Sequence, residues 1–188
     1  GCDFYTKVWV NGELAGSHKG GYARFTFDVT ELLIQGENRI TVMAEDSYEL
    51  RQPRGKQRWR KENFGCWYVQ TTGIWKTVWL EEVPELYLSR LKITPHLKER
   101  AVEIGWEIRG SLERFLEEGQ EVFLKLEASF QGRSISSART RIVRDHGKAL
   151  LDVFCDQEDF GEWGILEWKP GEPNLYDLDC TLEFFHDK

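Results

Sequence analysis

Tyr5-Thr6-Lys7-Val8-Trp9-Val10-Asn11-Gly12-Glu13-Leu14-Ala15-Gly16-Ser17-His18 decides the architecture. Tyr5 to Val10 alternates and is rich in β-branched and aromatic side chains, which predicts a strand. Asn11-Gly12 follows. A type I′ turn needs positive φ at both central residues, and this dipeptide supplies it readily. Glu13 to His18 is then the returning strand. The chain opens inside this hairpin with no lead-in, so the reading predicts further strands before Gly1, in a longer polypeptide.

Working outward, Lys19-Gly20-Gly21-Tyr22 reads as a loop and Arg24 to Asp28 as another alternating strand. Asp28-Val29-Thr30-Glu31 can cap one helical turn at Leu32-Leu33. Gln35 to Asn38 is a turn. Arg39 to Ala44 is the next strand, and it delivers Asp46 at its end. From Asp46 onward no helical or strand period holds. This segment carries Pro53-Arg54-Gly55-Lys56-Gln57 and Cys66-Trp67-Tyr68, and it ends at Thr71-Thr72-Gly73-Ile74 before a predicted strand Trp75–Glu81. A long irregular loop between two strands is where binding surfaces are usually built.

Pro84 marks a junction. Beyond it, strands are predicted near Tyr87–Thr94, Val102–Arg109, Val122–Phe130, Ser134–Ile142, Ala149–Phe154 and Tyr176–Phe185. Short strands at such spacing predict an antiparallel sandwich. Ser111 to Gly119 reads as a loop or a single helical turn, and Asp156 to Gly164 as a loop. The fold class is therefore all-β, with two domains at residues 1–83 and 84–188.

Composition agrees. Eight tryptophans and eleven phenylalanines against one methionine suit sandwich cores better than helix bundles. A net charge of −7 argues against nucleic acid or an anionic membrane as partner. No apolar run approaches the ~20 residues that span a bilayer. Cys2, Cys66, Cys155 and Cys180 form no C-x-x-C pair and have no histidine at zinc spacing. They read as free thiols in apolar surroundings, and this cysteine usage leans toward a reducing, cytoplasmic compartment. Nothing in the sequence implies a cofactor or a metal.

Several stretches in the first half resemble one family in their order along the chain. They are Val8-Trp9-Val10-Asn11-Gly12, Gly16-Ser17-His18-Lys19-Gly20-Gly21-Tyr22, Phe25-Thr26-Phe27-Asp28-Val29-Thr30, Gly36-Glu37-Asn38, Pro53-Arg54-Gly55-Lys56-Gln57, Thr72-Gly73-Ile74-Trp75 and Val78-Trp79-Leu80-Glu81. Together they resemble the amino-terminal jelly-roll (galactose-binding-like) domain of glycoside hydrolase family 2, which includes β-galactosidases, β-glucuronidases and β-mannosidases. Trp168-Lys169-Pro170-Gly171-Glu172-Pro173-Asn174-Leu175-Tyr176 resembles the end of the immunoglobulin-like domain that follows in that family. The resemblance implies a partial jelly roll, then an immunoglobulin-like sandwich. It also implies a catalytic (β/α)₈ barrel elsewhere in the parent protein, as this chain's intramolecular partner, with two glutamates that this sequence does not match. No catalytic residue is assigned here.

The resemblance places Asp46 where related galactosidases carry an aspartate that bonds sugar hydroxyls, a role that suits a carboxylate. Arg54, Lys56 and Gln57 are donors on a turn-shaped loop, suited to sugar oxygens or to docking on the barrel. Trp67 and Tyr68, with Trp59, read either as a stacking platform for a sugar or as core. Trp75 and Trp79 share one face of the predicted strand and read as core. An acid/base pair among Glu45, Glu49 and Glu62 lacks the burial that would raise one pKa above another. His18 reads as structural, and Ser17 lacks a nucleophile elbow.

The functional expectation is a non-catalytic amino-terminal fragment of a retaining family 2 glycosidase that hydrolyses terminal β-glycosidic bonds. This segment would shape the rim of the carbohydrate pocket. The competing readings are a free-standing carbohydrate-binding or adhesion module, and an interface piece whose sheet edges pair between copies into a homo-oligomer.

Overall fold

A computed structural model describes residues 1–186. The chain is all-β apart from short helical turns, and it divides into compact units at Gly1–Leu80 and Glu81–Lys188.

The first unit contains β1 (Cys2–Asp3), β2 (Tyr5–Val10), β3 (Glu13–Lys19), β4 (Ile40–Glu45) and β5 (Gly73–Ile74). β2 is the centre of an antiparallel sheet in the order β3-β2-β4, and β1 pairs with β5. The turn forms as expected, with Asn11 at φ 52° and Gly12 at φ 91°. Asn11 does more than turn the chain. Its amide donates to Leu32 O and Asn38 Oδ1, both at 2.8 Å, and its Oδ1 accepts from Arg39 N at 2.9 Å. The hairpin tip is thereby tied to the start of β4, the strand that carries Asp46. Thr30–Leu32 is a short 3₁₀ turn, and Asp28 Oδ1 accepts from the Thr30 N–H and hydroxyl ahead of it.

Two predicted strands do not form. Arg24–Asp28 joins no ladder. Its alternation serves side-chain packing instead. The Phe25 ring stacks on His18 at 4.3 Å, and Phe27 occupies the space where a Cβ on Gly16 would lie 2.4 Å away. His18 is structural as expected, with Nε2 3.1 Å from Gly20 O. Trp75–Glu81 is also not a strand. β5 ends at Ile74, and the Trp75 and Lys76 amides both turn to Gly1 O. Among the described residues none pairs with positions 77–81, so the alternating pattern has no ladder to join. Trp75 and Trp79 are correspondingly half-exposed rather than core, at 51% and 53%.

The second unit contains β6 (Leu86–His96), β7 (Ala101–Gly110), β8 (Gln120–Phe130), β9 (Arg133–Ile142), β10 (His146–Asp152), β11 (Trp168–Lys169), β12 (Glu172–Pro173) and β13 (Asp177–His186). The six long strands match the sequence expectation. They build two antiparallel sheets, β10-β7-β6 and β13-β8-β9, and the small β11–β12 hairpin lies apart from them. Helix α1 (Leu112–Glu117) bridges β7 to β8 and buries Leu112. Every second residue points inward: Ile104, Trp106 and Ile108 from one sheet, Val122, Leu124, Leu126 and Ala128 from the other. Gly147 lies opposite Trp106 across the ladder, and a Cβ there would meet the indole at 2.4 Å, so the large ring requires that glycine. Phe130, Cys155 and Phe160 form a smaller core, to which Tyr176 adds its ring and accepts a hydrogen bond from Leu166 N at 3.0 Å.

All four cysteines are free thiols. Cys2 and Cys155 are buried and Cys180 is half-buried, where desolvation and then the nearby Asp179 push its pKa up. Cys66 departs from the expected apolar setting: it lies exposed on the long loop.

Leu124 is fully buried at the centre of the second unit. Leu124→Ala is expected to lower the unfolding free energy of that unit by about 2–5 kcal/mol, read from urea denaturation.

Candidate functional site

Asp46 follows directly on β4 and is half-buried. Its carboxylate is held by three protein donors. Oδ1 accepts from the Ser47 amide at 2.7 Å and from the Gln52 side-chain amide, and Oδ2 accepts from Gln70 Nε2 at 2.5 Å. Two carboxylate oxygens offer about four acceptor positions. Three are taken, and the one left is on Oδ2. Every group touching the carboxylate is an amide, with no second acid among them. The arrangement can fix and orient a hydroxyl; it does not form an acid/base pair.

Arg54 is placed differently from the outward-facing donor that the sequence suggested. It is only 7% exposed. Its guanidinium donates to Ser47 O and Glu49 O, both at 2.6 Å through Nη2, and again to Glu49 O through Nε at 3.2 Å. Gln70 Nε2 also donates to Ser47 O at 3.0 Å. Arg54 is thus an internal plug. It satisfies the carbonyls that a tightly curled loop cannot pair within itself.

Lys56 and Tyr68 are exposed, and their backbones are joined: Tyr68 N donates to Lys56 O at 2.8 Å and Arg58 N to Tyr68 O at 2.7 Å. This brings the two halves of the loop together. Trp67 is half-buried, edge-on to Trp59 at 4.6 Å, and Trp59 in turn meets Phe64 at 4.9 Å. That aromatic cluster packs the lower loop, while the Tyr68 ring stays open to solvent.

Gln57 belongs to a different region of the surface. Its Oε1 accepts from Thr71 N at 2.9 Å and its Nε2 donates to Asp3 Oδ2 at 3.2 Å. It lines a cleft of about 330 Å³ with Asp3, Tyr22, Thr71, Thr72 and Trp75. The Trp75 indole N–H donates to Gly21 O at 2.7 Å, and Tyr22 meets the Trp75 ring edge-on at 6.2 Å.

The structure therefore brings Asp46 and Arg54 together through Ser47, and places Gln57 in the cleft. Sequence reasoning missed Gln52 and Gln70. The only local signal for them is the proximity of Gln52 to Asp46; Gln70 reaches it from 24 residues away. Among the described residues no cluster of three or more His, Cys, Asp or Glu could hold a metal ion.

Comparison with known proteins gives this geometry its context. The family model described as "Glycosyl hydrolases family 2, sugar binding domain" matches residues 1–84. The chain is 38% identical over 186 residues to a putative beta-glucuronidase of Formosa agariphila, covering 97% of this chain and 20% of that protein. It is 25% identical to a beta-galactosidase of Thermoanaerobacter pseudethanolicus, covering 94% of this chain and 22% of the relative. The chain thus spans about a fifth of the length of the curated relatives it matches. In fold it is similar to a Bacteroides uniformis beta-glucuronidase, with a TM-score of 0.70 at 18% identity over 96% of this chain and 21% of that one. Residues 1–84 match the model of the family 2 sugar-binding domain, and the whole chain is similar to proteins named beta-glucuronidase and beta-galactosidase.

Proposed function

We propose that this chain is the non-catalytic amino-terminal region of a retaining family 2 glycosidase that hydrolyses terminal β-glycosidic bonds, and that its Asp46 loop forms a section of the substrate pocket's rim. The observation that carries this reading is the Asp46 carboxylate, fixed by Ser47, Gln52 and Gln70 with one acceptor position on Oδ2 open. A sugar hydroxyl donating there makes a charge-assisted bond without any rearrangement of the loop. With one acceptor position open, Asp46 would take a single sugar hydroxyl. Retaining chemistry needs two carboxylates ~5–5.5 Å apart across the scissile bond. The amide surroundings of Asp46 supply no such pair, and this reading assigns the reacting groups to a catalytic barrel of the parent polypeptide. Lys56 and Tyr68, exposed on the loop, are the groups available to meet that barrel or the substrate.

A second reading, a carbohydrate-binding module that works alone, draws on the cleft of Asp3, Tyr22, Gln57 and Trp75, where two aromatic rings lie beside hydrogen-bonding groups. Titration calorimetry of the isolated chain with galactose, glucuronate and mannose separates the two readings. The fragment reading expects no heat, and saturable heat favours the module.

The isolated chain is expected to release no nitrophenol from nitrophenyl β-glycosides; turnover that survives a contamination control overturns the proposal. In the full-length enzyme, Asp46→Ala removes a charge-assisted bond of ~1.5–3 kcal/mol, so kcat/KM should fall roughly 10- to 150-fold. Arg54→Ala leaves the Ser47 and Glu49 carbonyls without their donor. It should speed limited proteolysis between residues 47 and 58, and Arg54→Lys should restore only some of the protection, because one ammonium cannot reproduce the guanidinium fork.

A further inference from the structure

The donors around the Asp46 carboxylate are already engaged. The Ser47 amide goes to Asp46 Oδ1 at 2.7 Å, and the Ser47 hydroxyl donates to Gln52 Oε1 at 3.5 Å. The Gln52 NH₂ faces Asp46 Oδ1 and Ser47 O. Gln70 Nε2 donates to Asp46 Oδ2 at 2.5 Å and to Ser47 O at 3.0 Å. A carboxylate oxygen and a carbonyl oxygen only accept, so both hydrogens of the Gln70 NH₂ must be directed to them. These two partners fix which way round the Gln70 amide sits. Its carbonyl oxygen, Oε1, is left over. Among the described residues Oε1 accepts no hydrogen bond from the protein. The buried side-chain polar atoms without a partner are Thr6 Oγ1, Arg58 Nε and Trp106 Nε1. Gln70 is half-buried and its Oε1 is not among those atoms, so that oxygen is open to solvent.

We propose that Gln70 is a specificity-determining residue whose Oε1 accepts a second sugar hydroxyl, next to the one on Asp46 Oδ2. The two acceptors are close by construction. Nε2 touches Asp46 Oδ2, and Nε2 and Oε1 share one carbon, so Oε1 lies within about 5 Å of Oδ2. Two hydrogen bonds of about 2.8 Å reach across that span from adjacent hydroxyls on one sugar ring. The pair of acceptors names the chemistry of the ligand edge they take: two neighbouring free hydroxyls, each donating. A deoxy position or an ether at either place removes a donor and leaves one acceptor unfilled. The Gln70 amide is held at its nitrogen by Asp46 and Ser47, so its oxygen is set in place before the sugar arrives. This inference rests on the reading of Asp46 as a hydroxyl acceptor and adds a second residue to it.

The test is a set of double-mutant cycles in the full-length enzyme. The substrates are nitrophenyl β-galactoside or β-glucuronide, whichever is turned over, and its monodeoxy analogues at each ring hydroxyl. The hydroxyl on Asp46 is the one whose removal lowers kcat/KM in the wild type and not in Asp46→Ala. Removal of its ring neighbour should lower wild-type kcat/KM roughly 2- to 12-fold, the range for one neutral hydrogen bond, and should cost little in Gln70→Met. Gln70 acting only to hold Asp46 predicts otherwise: Gln70→Met would shrink the penalty at the Asp46 hydroxyl and leave the neighbour's penalty intact. That result overturns the proposal while the Asp46 reading stands. If no hydroxyl couples to Asp46, both fail. Circular dichroism checks that Gln70→Met folds. Should it not fold, a crystal structure of the wild-type enzyme with a glycoside-derived inhibitor decides. Adjacent hydroxyls on Asp46 Oδ2 and Gln70 Oε1 are expected, and an Oε1 in contact with protein or water alone overturns the proposal.

Discussion

The Asp46 carboxylate ties together three points of the irregular segment that follows β4. Asp46 gathers the Ser47 amide, Gln52 and Gln70 onto its two oxygens, and Ser47 O then gathers Gln70 and Arg54. The segment after β4 has no ladder to satisfy its backbone, so its polar groups need side-chain partners if they are to be buried. Gln52 and Arg54 are themselves buried, which ties the cost of burying them to the bonds they make. These bonds close on one another, linking residues 46, 47, 52, 54 and 70. A surface segment built this way arrives at its ligand with little left to immobilise, and that lowers the entropic cost of binding.

The sheet beneath the loop contributes position. β2 lies between β3 and β4, and the Asn11 side chain joins the hairpin tip to Leu32, Asn38 and Arg39. β4 therefore leaves the sheet from a fixed point, and Asp46 follows directly on its last residue. The second unit is organised by different physics. Its stability rests on interdigitated apolar layers, and its outer faces carry cross-strand ion pairs such as Lys148–Glu103 and Arg141–Glu121. Those pairs are solvent-exposed and add little stability each. They mark the faces as solvated while the core supplies cohesion.

How much of this is legible in the sequence depends on whether the signal is local. The hairpin at Asn11-Gly12 and the six long strands of the second unit are readable because turn chemistry and period-two alternation act over a few residues. The Trp75–Glu81 stretch shows the limit: its alternation is a strand pattern, but a strand exists only if another chain segment runs beside it, and the pattern carries no information about that neighbour. Arg24–Asp28 shows the same limit, since Phe25 and Phe27 are satisfied by His18 and Gly16 without a ladder. In the candidate site, a family resemblance and a position after a strand point to Asp46. The reversal at Arg54 is not readable, because an arginine on a turn looks the same in sequence whether it points to solvent or back into the loop. Gln70 is invisible for a similar reason: nothing in the sequence connects it to Asp46 until the loop is folded.

On the proposed function, Asp46 is a preset acceptor for one sugar hydroxyl. The most direct measurement is a crystal structure of the full-length enzyme with a glycoside-derived inhibitor bound. A preset acceptor requires one sugar hydroxyl within hydrogen-bond distance of Asp46 Oδ2, with the Gln52 and Gln70 bonds unchanged. A bound sugar with no atom of the Asp46 loop in reach, or an Asp46 that must release Gln70 to touch it, would contradict that role.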